Sequence, residues 1–193
     1  MPTMCQRIIL QGVLLTSAFL LLGTEIAWAQ FAPDPPQAPK ALRPPKGQAL
    51  LIHLHGRGTQ IYVCESSAGV FAWKFKAPEA ELFGESGELA GRHFAGPTWE
   101  GNDGSRVIAR VAASVPSPAS GSIPWLLLTA IGHDDKGIMA RVQSIQRLDT
   151  KGGVAPSASC GAANRNEETA VPYEADYYFY GVPRSGVLQN TSK

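Results

Sequence analysis

The sequence has no surplus of either charge. Its 17 Lys and Arg stand against 16 Asp and Glu, a formal net charge of +1, and charged residues make up only 17% of the chain. Following a phosphate backbone takes a basic stripe, and no Lys/Arg cluster interleaved with aromatics occurs here, which argues against a nucleic-acid partner. Cysteine is also scarce, with three in 193 residues, at positions 5, 64 and 160. Metal sites built from cysteine usually show pairs two to four residues apart, and these are isolated. Beyond residue 29 no stretch approaches the roughly 20 apolar residues of a membrane-spanning helix, and no helix-period segment with capping residues appears. No serine sits in a nucleophile-elbow pattern, so covalent catalysis has no support.

The N-terminus is the exception to this moderate texture. Arg7 precedes an apolar run from Ile8 to Leu22, and Ala27-Trp28-Ala29 follows with small residues at the two positions a signal peptidase inspects. That order reads residues 1–29 as a secretory signal peptide. The run is shorter than a membrane span, and Cys5 lies before it, out of place for lipid attachment after cleavage. The expected product is secreted or periplasmic, begins at Gln30 and has no membrane span once the signal is removed. Cys5 leaves with the signal, so Cys64 and Cys160 remain as an even pair in an oxidising compartment. A disulfide is the expected reading, with two buried thiols or metal ligands as rivals.

The remaining chain divides by composition. Residues 30–47 hold six prolines and read as an extended linker. Residues 48–181 form the expected β domain, and 182–193 a polar, flexible tail. Within the domain, 49–55 and 59–65 read as strands with Gly56-Arg57-Gly58 as a hairpin turn. In 70–76, Phe71, Trp73 and Phe75 alternate with Ala72, Lys74 and Lys76, the period of two of a half-buried strand. Further short strands are expected at 81–83, 88–94, 105–114, 123–131, 137–150 and 173–180. Roughly eight or nine strands at such intervals predict an all-β fold: a single antiparallel β-sandwich or partly open barrel. Its inward residues should include Phe71, Trp73, Phe75, Val107, Leu127, Tyr177 and Phe179.

Gly56-Arg57-Gly58 lacks the third glycine and following helix of a dinucleotide loop, so no cofactor is expected. His53 and His55 share one strand face, a spacing that holds a metal ion only with a further ligand, for which His93, His133, Asp134 and Asp135 are possible sources. Two exposed histidines are the simpler reading, and no metal site is assigned. The densest polar segment is loop 93–105, HFAGPTWEGNDGS. It gathers His93, Trp99, Glu100 and Asp103 between bends at Gly96-Pro97 and Asn102-Asp103-Gly104. As a hydrolytic centre, Glu100 and Asp103 would flank a sugar with Trp99 as its platform. The plainer reading has Trp99 closing the core and Asp103 holding a turn. Tyr178 and Tyr180 lie beside Glu174 and Asp176 on a strand face suited to a sugar or protein, or to a cross-strand ladder.

Six ordered blocks add a resemblance: GTQIYVC, AWKFKAPEAELF, HFAGPTWEGNDGS, IPWLLL, SIQRLDTKGGVAP and YEADYYFYG. Together they resemble the uncharacterised secreted family called domain of unknown function thirty-four fifty-five, over roughly residues 48–181. The resemblance implies no established activity. Some fungal relatives carry a dehydrogenase name, which no cofactor fingerprint in this sequence supports. It covers His93, Trp99, Glu100, Asp103, Trp125, Arg147 and Tyr178, and covers His53 and His55 poorly. The candidate ligand-binding residues are therefore His93, Trp99, Glu100, Asp103, Arg147 and Tyr178. The expected function is binding of a glycan, envelope component or protein partner, and the alternative is a hydrolase with acid/base residues in loop 93–105.

Overall fold

The computed structural model describes residues 34–134 and 136–183. The signal segment 1–29 lies outside these residues, as do 30–33 of the linker and all of the tail except Val182 and Pro183. Eight strands follow in chain order: β1 (Ala49–Ser67), β2 (Val70–Phe83), β3 (Leu89–Phe94), β4 (Thr98–Gly101), β5 (Arg106–Val115), β6 (Trp125–His133), β7 (Val142–Gly152) and β8 (Glu168–Gly181). Each pairs antiparallel with the next, and β1 also pairs with β8, so one sheet closes into a ring. The all-β antiparallel expectation holds. Closure removes both sheet edges, which a sandwich or a partly open barrel would have kept.

Alternation along each strand sends one side chain in two toward the ring interior. On β8 these are Tyr173, Ala175, Tyr177 and Phe179, all buried. They join Leu54, Ala80, Leu82, Trp99, Val107, Ala109, Leu128 and Ile145 in one apolar core. Val107, Tyr177 and Phe179 point inward as expected. Leu127 pairs with Gln146 and lies on the opposite face from the inward Leu126 and Leu128. Phe75 has inward parity opposite Tyr62, yet it stands 54% exposed at the end of the ring.

Two parts of the strand reading need correction. Gly56-Arg57-Gly58 makes no hairpin, because β1 runs through it without a break. Its glycines serve close approach instead. A Cβ on Gly56 would sit 2.6 Å from the Tyr177 ring, and one on Gly58 would sit 2.1 Å from the Glu79 carbonyl oxygen. Similarly, 70–76 and 81–83 belong to one strand, β2, that continues through Pro78. The first real hairpin turn lies at Ala68 and Gly69, both with positive φ.

The proline-rich stretch is no free linker over its described part. Pro39 leads into a 3-10 turn, Lys40–Leu42, and Leu42 is completely buried. Gln146 on β7 donates its Nε2 to the Leu42 carbonyl (2.7 Å), and Ser144 donates to Gln48. The segment thus covers part of the sheet's outer surface, over Gln146 and Ser144, which are buried on the outward side of β7. Cys64 on β1 and Cys160 form a disulfide with α-carbons 5.5 Å apart, joining the β7–β8 connection to the wall. Among the described residues no helix is long and apolar enough to cross a membrane.

Candidate functional site

Loop 93–105 is mostly not a loop. It holds the end of β3, a turn at residues 95–97, and all of β4, the one strand with no counterpart in the sequence-based strand list. Its register decides where each candidate points. His93 pairs with Trp99, Arg92 with Glu100, and Glu100 in turn with Arg106 on β5. Neighbours in a strand face opposite ways, so His93 and Trp99 turn inward while Glu100 turns outward. The structure does not bring His93, Glu100 and Asp103 together.

Glu100 sits in a cross-strand triplet. Its Oε1 accepts from Arg92 Nε (2.8 Å) and Nη2 (2.7 Å), and its Oε2 accepts from Arg106. Hydrogen bonds from Arg106 and Arg92 hold its carboxyl below the usual range. Asp103 is spent on a turn. Its Oδ1 accepts from Ser105 N (3.0 Å) and Ser105 Oγ, and its Oδ2 from Ile138 N (3.0 Å). The same Ser105 hydroxyl accepts from Met139 N (3.1 Å), tying this turn to the 3-10 turn Met139–Arg141. Those bonds, the Ser105 hydroxyl first, also depress the Asp103 carboxyl.

Tyr178 lies on the outer face of β8. Its ring stacks on His53 at 4.3 Å, and His53 Nε2 and His55 Nδ1 lie 3.3 and 3.0 Å from one Asp176 oxygen. The Asp176 bond raises the His53 pKa, and no cluster of three or more ligating side chains able to hold a metal occurs among the described residues. This patch is an ion-pair network continued by Glu174, Arg57 and Lys151. A second depression, of about 460 Å³, lies over β1–β3, lined by Arg57, Arg92, Glu79 and Glu81 and also by His93; its two arginines pair with Glu174 and Glu100.

The remaining three candidates, His93, Trp99 and Arg147, line one cavity of about 350 Å³. Gln60 of β1, Phe75 and Pro78 of β2, Val111 of β5, and Leu126 and Leu128 of β6 complete most of its wall. Seven of the eight strands contribute, and apart from Lys76, which sits at the β1–β2 bulge, they do so by residues of inward parity, so this is the mouth of the ring itself. The turn at Gly96-Pro97 and the exposed Phe75 and Val111 form its rim.

Polar groups enter this cavity from its walls. Arg147 pairs in register with Tyr177 and therefore points into the ring. Its Nε (3.2 Å) and Nη2 (2.8 Å) donate to the Pro124 carbonyl, and no carboxylate among the described residues forms a salt bridge with it. His93 donates Nδ1–H to the Thr98 carbonyl (2.8 Å). A carbonyl only accepts, which fixes the neutral tautomer and leaves Nε2 as an acceptor. Burial, with nearby Arg147 adding to it, pushes the imidazole down to about 3. Deeper in the ring the Tyr173 and Tyr177 hydroxyls meet at 3.1 Å, and burial keeps both protonated despite Arg147. Gln60 is only 3% exposed, yet among the described residues its Nε2 has no partner at hydrogen-bond geometry, and neither does Trp99 Nε1. Gln60 was missing from the sequence-based set. Its inward parity on β1 is the one signal that would have shown it, and the assumed turn at Gly56–Gly58 hid that parity.

With this geometry in place, comparison with known families gives one match. Residues 44–181 match a family described as "Protein of unknown function (DUF3455)". The chain belongs to this family. The matched span covers all eight strands, both cysteines and every residue lining the cavity. No curated protein and no solved structure matches the chain. The DUF3455 domain therefore gains its functional reading from the cavity chemistry alone.

Proposed function

We propose that this protein is an exported, non-catalytic binding domain whose ligand enters the mouth of the eight-stranded ring. The observation that carries this reading is the convergence of seven strands on one cavity that is largely apolar and holds a few fixed polar groups, the usual composition of a small-molecule site. Its size falls at the low end of such sites, which favours a small ligand, or one terminal group of an envelope component, over a long glycan chain. Export is supported by the signal-like segment 1–29 and by the Cys64–Cys160 disulfide, which suits an oxidising compartment.

The hydrolase reading fares worse. General acid–base work needs a group with pKa near the working pH within reach of a base. Glu100 and Asp103 are both depressed and engaged with protein partners, and His93 lies on the other face of the sheet from Glu100.

A thermal-shift screen of the purified protein against small neutral and charged compounds tests the reading. Ligands that raise the melting temperature should lose their effect in Val111→Trp, which fills the mouth at an exposed position. Ligands that act equally on that variant would place binding elsewhere.

A further inference from the structure

The ring mouth holds N–H donors with no acceptor among the described residues. Arg147 is a permanent cation that donates to the Pro124 carbonyl through Nε and Nη2 and has no carboxylate partner among the described residues. Those two N–H groups use one edge of the planar fork, and the guanidinium has five N–H donors in all. Among the described residues, Gln60 Nε2 is buried with no hydrogen-bond partner in the same lining, and Trp99 Nε1 is a second such donor. A buried donor such as Gln60 Nε2 or Trp99 Nε1 is costly to leave without an acceptor, and the half-buried Arg147 adds a cation at the same wall. No carboxylate of the described chain forms a salt bridge with Arg147, whereas the other lining cation, Lys76, is paired with Glu168, and elsewhere Glu100 answers Arg92 and Arg106, and Glu174 answers Lys151.

The walls around these donors are apolar. Phe75, Pro78, Pro97, Val111, Leu126 and Leu128 offer no hydrogen-bonding side chain, and Phe75 and Val111 remain more than half exposed at the rim. Two requirements follow for an occupant: an anionic, acceptor-only head for Arg147 and Gln60, and an apolar body for the wall. Planar two-oxygen anions suit the arginine fork through paired hydrogen bonds.

We infer that the ring mouth takes a small monocarboxylic acid with an apolar body, its carboxylate held by Arg147 and the Gln60 amide and its hydrocarbon or aromatic part against Leu126, Leu128, Val111 and Phe75. This rests on the ring mouth being the ligand site. Arg147 is then the counter-ion that fixes ligand class, and the apolar lining sets the size and shape accepted.

Calorimetric titration of the purified protein with matched pairs tests it: octanoate against octanamide, and phenylacetate against phenylacetamide, with inorganic phosphate as a free-anion control. Each acid should bind at least tenfold more tightly than its amide, a comparison that needs no variant. Arg147→Gln should abolish that preference, and Arg147→Lys should retain part of it. Tighter binding of octanoate would mark an aliphatic ligand, and of phenylacetate an aromatic one. If acids and amides bind equally and Val111→Trp blocks both, the carboxylate inference fails while the cavity reading stands. Phosphate binding as tightly as either acid would also overturn it, because the apolar wall would then contribute nothing. Should neither pair bind while neutral compounds protect the protein in the thermal screen, the ligand class is wrong; if nothing binds in either assay, both readings fall.

Discussion

The imidazole of His93 lies flat on the indole of Trp99, with ring centroids 4.2 Å apart and planes within 10°. Tyr177 meets both rings edge-on, at 5.3 and 5.7 Å. This aromatic cluster is the place where the β3–β4 hairpin is fastened to β8, and it keeps the histidine neutral.

That neutrality predicts a pH dependence. The unfolded chain takes up a proton on His93 near pH 6.5, whereas the folded protein resists it until about 3. Between those values the unfolded state binds more protons, so stability falls as pH falls, by up to about 1.4 kcal/mol per unit from this group. His53 has the opposite sign. Its raised pKa gives stability that is present below about 6.5 and lost as pH rises through the folded value. Urea titrations from pH 6.5 to 5.5, where the unfolded glutamates with their ordinary value of 4.5 are still mostly ionised, should show the decline. His93→Phe should flatten it, and an unchanged slope in that variant would refute the assignment.

The disulfide closes a long loop, its cysteines standing 96 positions apart in sequence. Replacing Cys160 by Ser should lower stability by about 2–5 kcal/mol. The same loss should appear when the unaltered protein is unfolded with a thiol reductant present.

Leu42 tests whether the proline-rich segment belongs to the fold. Leu42→Ala removes a fully buried side chain from the outer cover and should cost about 2–5 kcal/mol. An effect below about 0.5 kcal/mol, the usual range for surface changes, would mean that the segment does not stay docked in solution.

Gly58→Ala tests the reading of β1 as one continuous strand. The added Cβ would collide with the Glu79 carbonyl at 2.1 Å and with Ala80, groups fixed in the neighbouring strand. Forcing even one methyl into such a contact typically costs about 1–3 kcal/mol. In a hairpin turn the same change would be milder.

These residues also show what a sequence exposes and what it hides. Alternation in β5 and β8 was plain, because Val107, Tyr177 and Phe179 stand at spacing two in strands with polar outward neighbours. The disulfide was equally plain, since two isolated cysteines had little else to do. Gly56 and Gly58 misled because glycine marks both a turn and a close approach of backbones, and only the neighbouring strand tells which. β4 was hidden by its length of four residues and by the glycines and proline around it. Missing β4 turned Glu100 and His93 into apparent neighbours, where a strand's alternation sets them on opposite faces. Arg147 was visible as a candidate through family resemblance, but Gln60, which shares its cavity, lies on β1 far away in sequence and joins it only when the ring closes.

The most direct test of the ligand site is a nuclear magnetic resonance titration of isotopically labelled protein with octanoate, following backbone and side-chain N–H signals. The Gln60 side-chain amide, the Trp99 indole N–H and the Arg147 Nε–H should move together and saturate with one constant, along with the backbone of Val111 and Leu126. Shifts confined to His53, His55 and Tyr178 on the outer face, with the Gln60 and Trp99 side chains unmoved, would contradict a ligand site in the ring mouth.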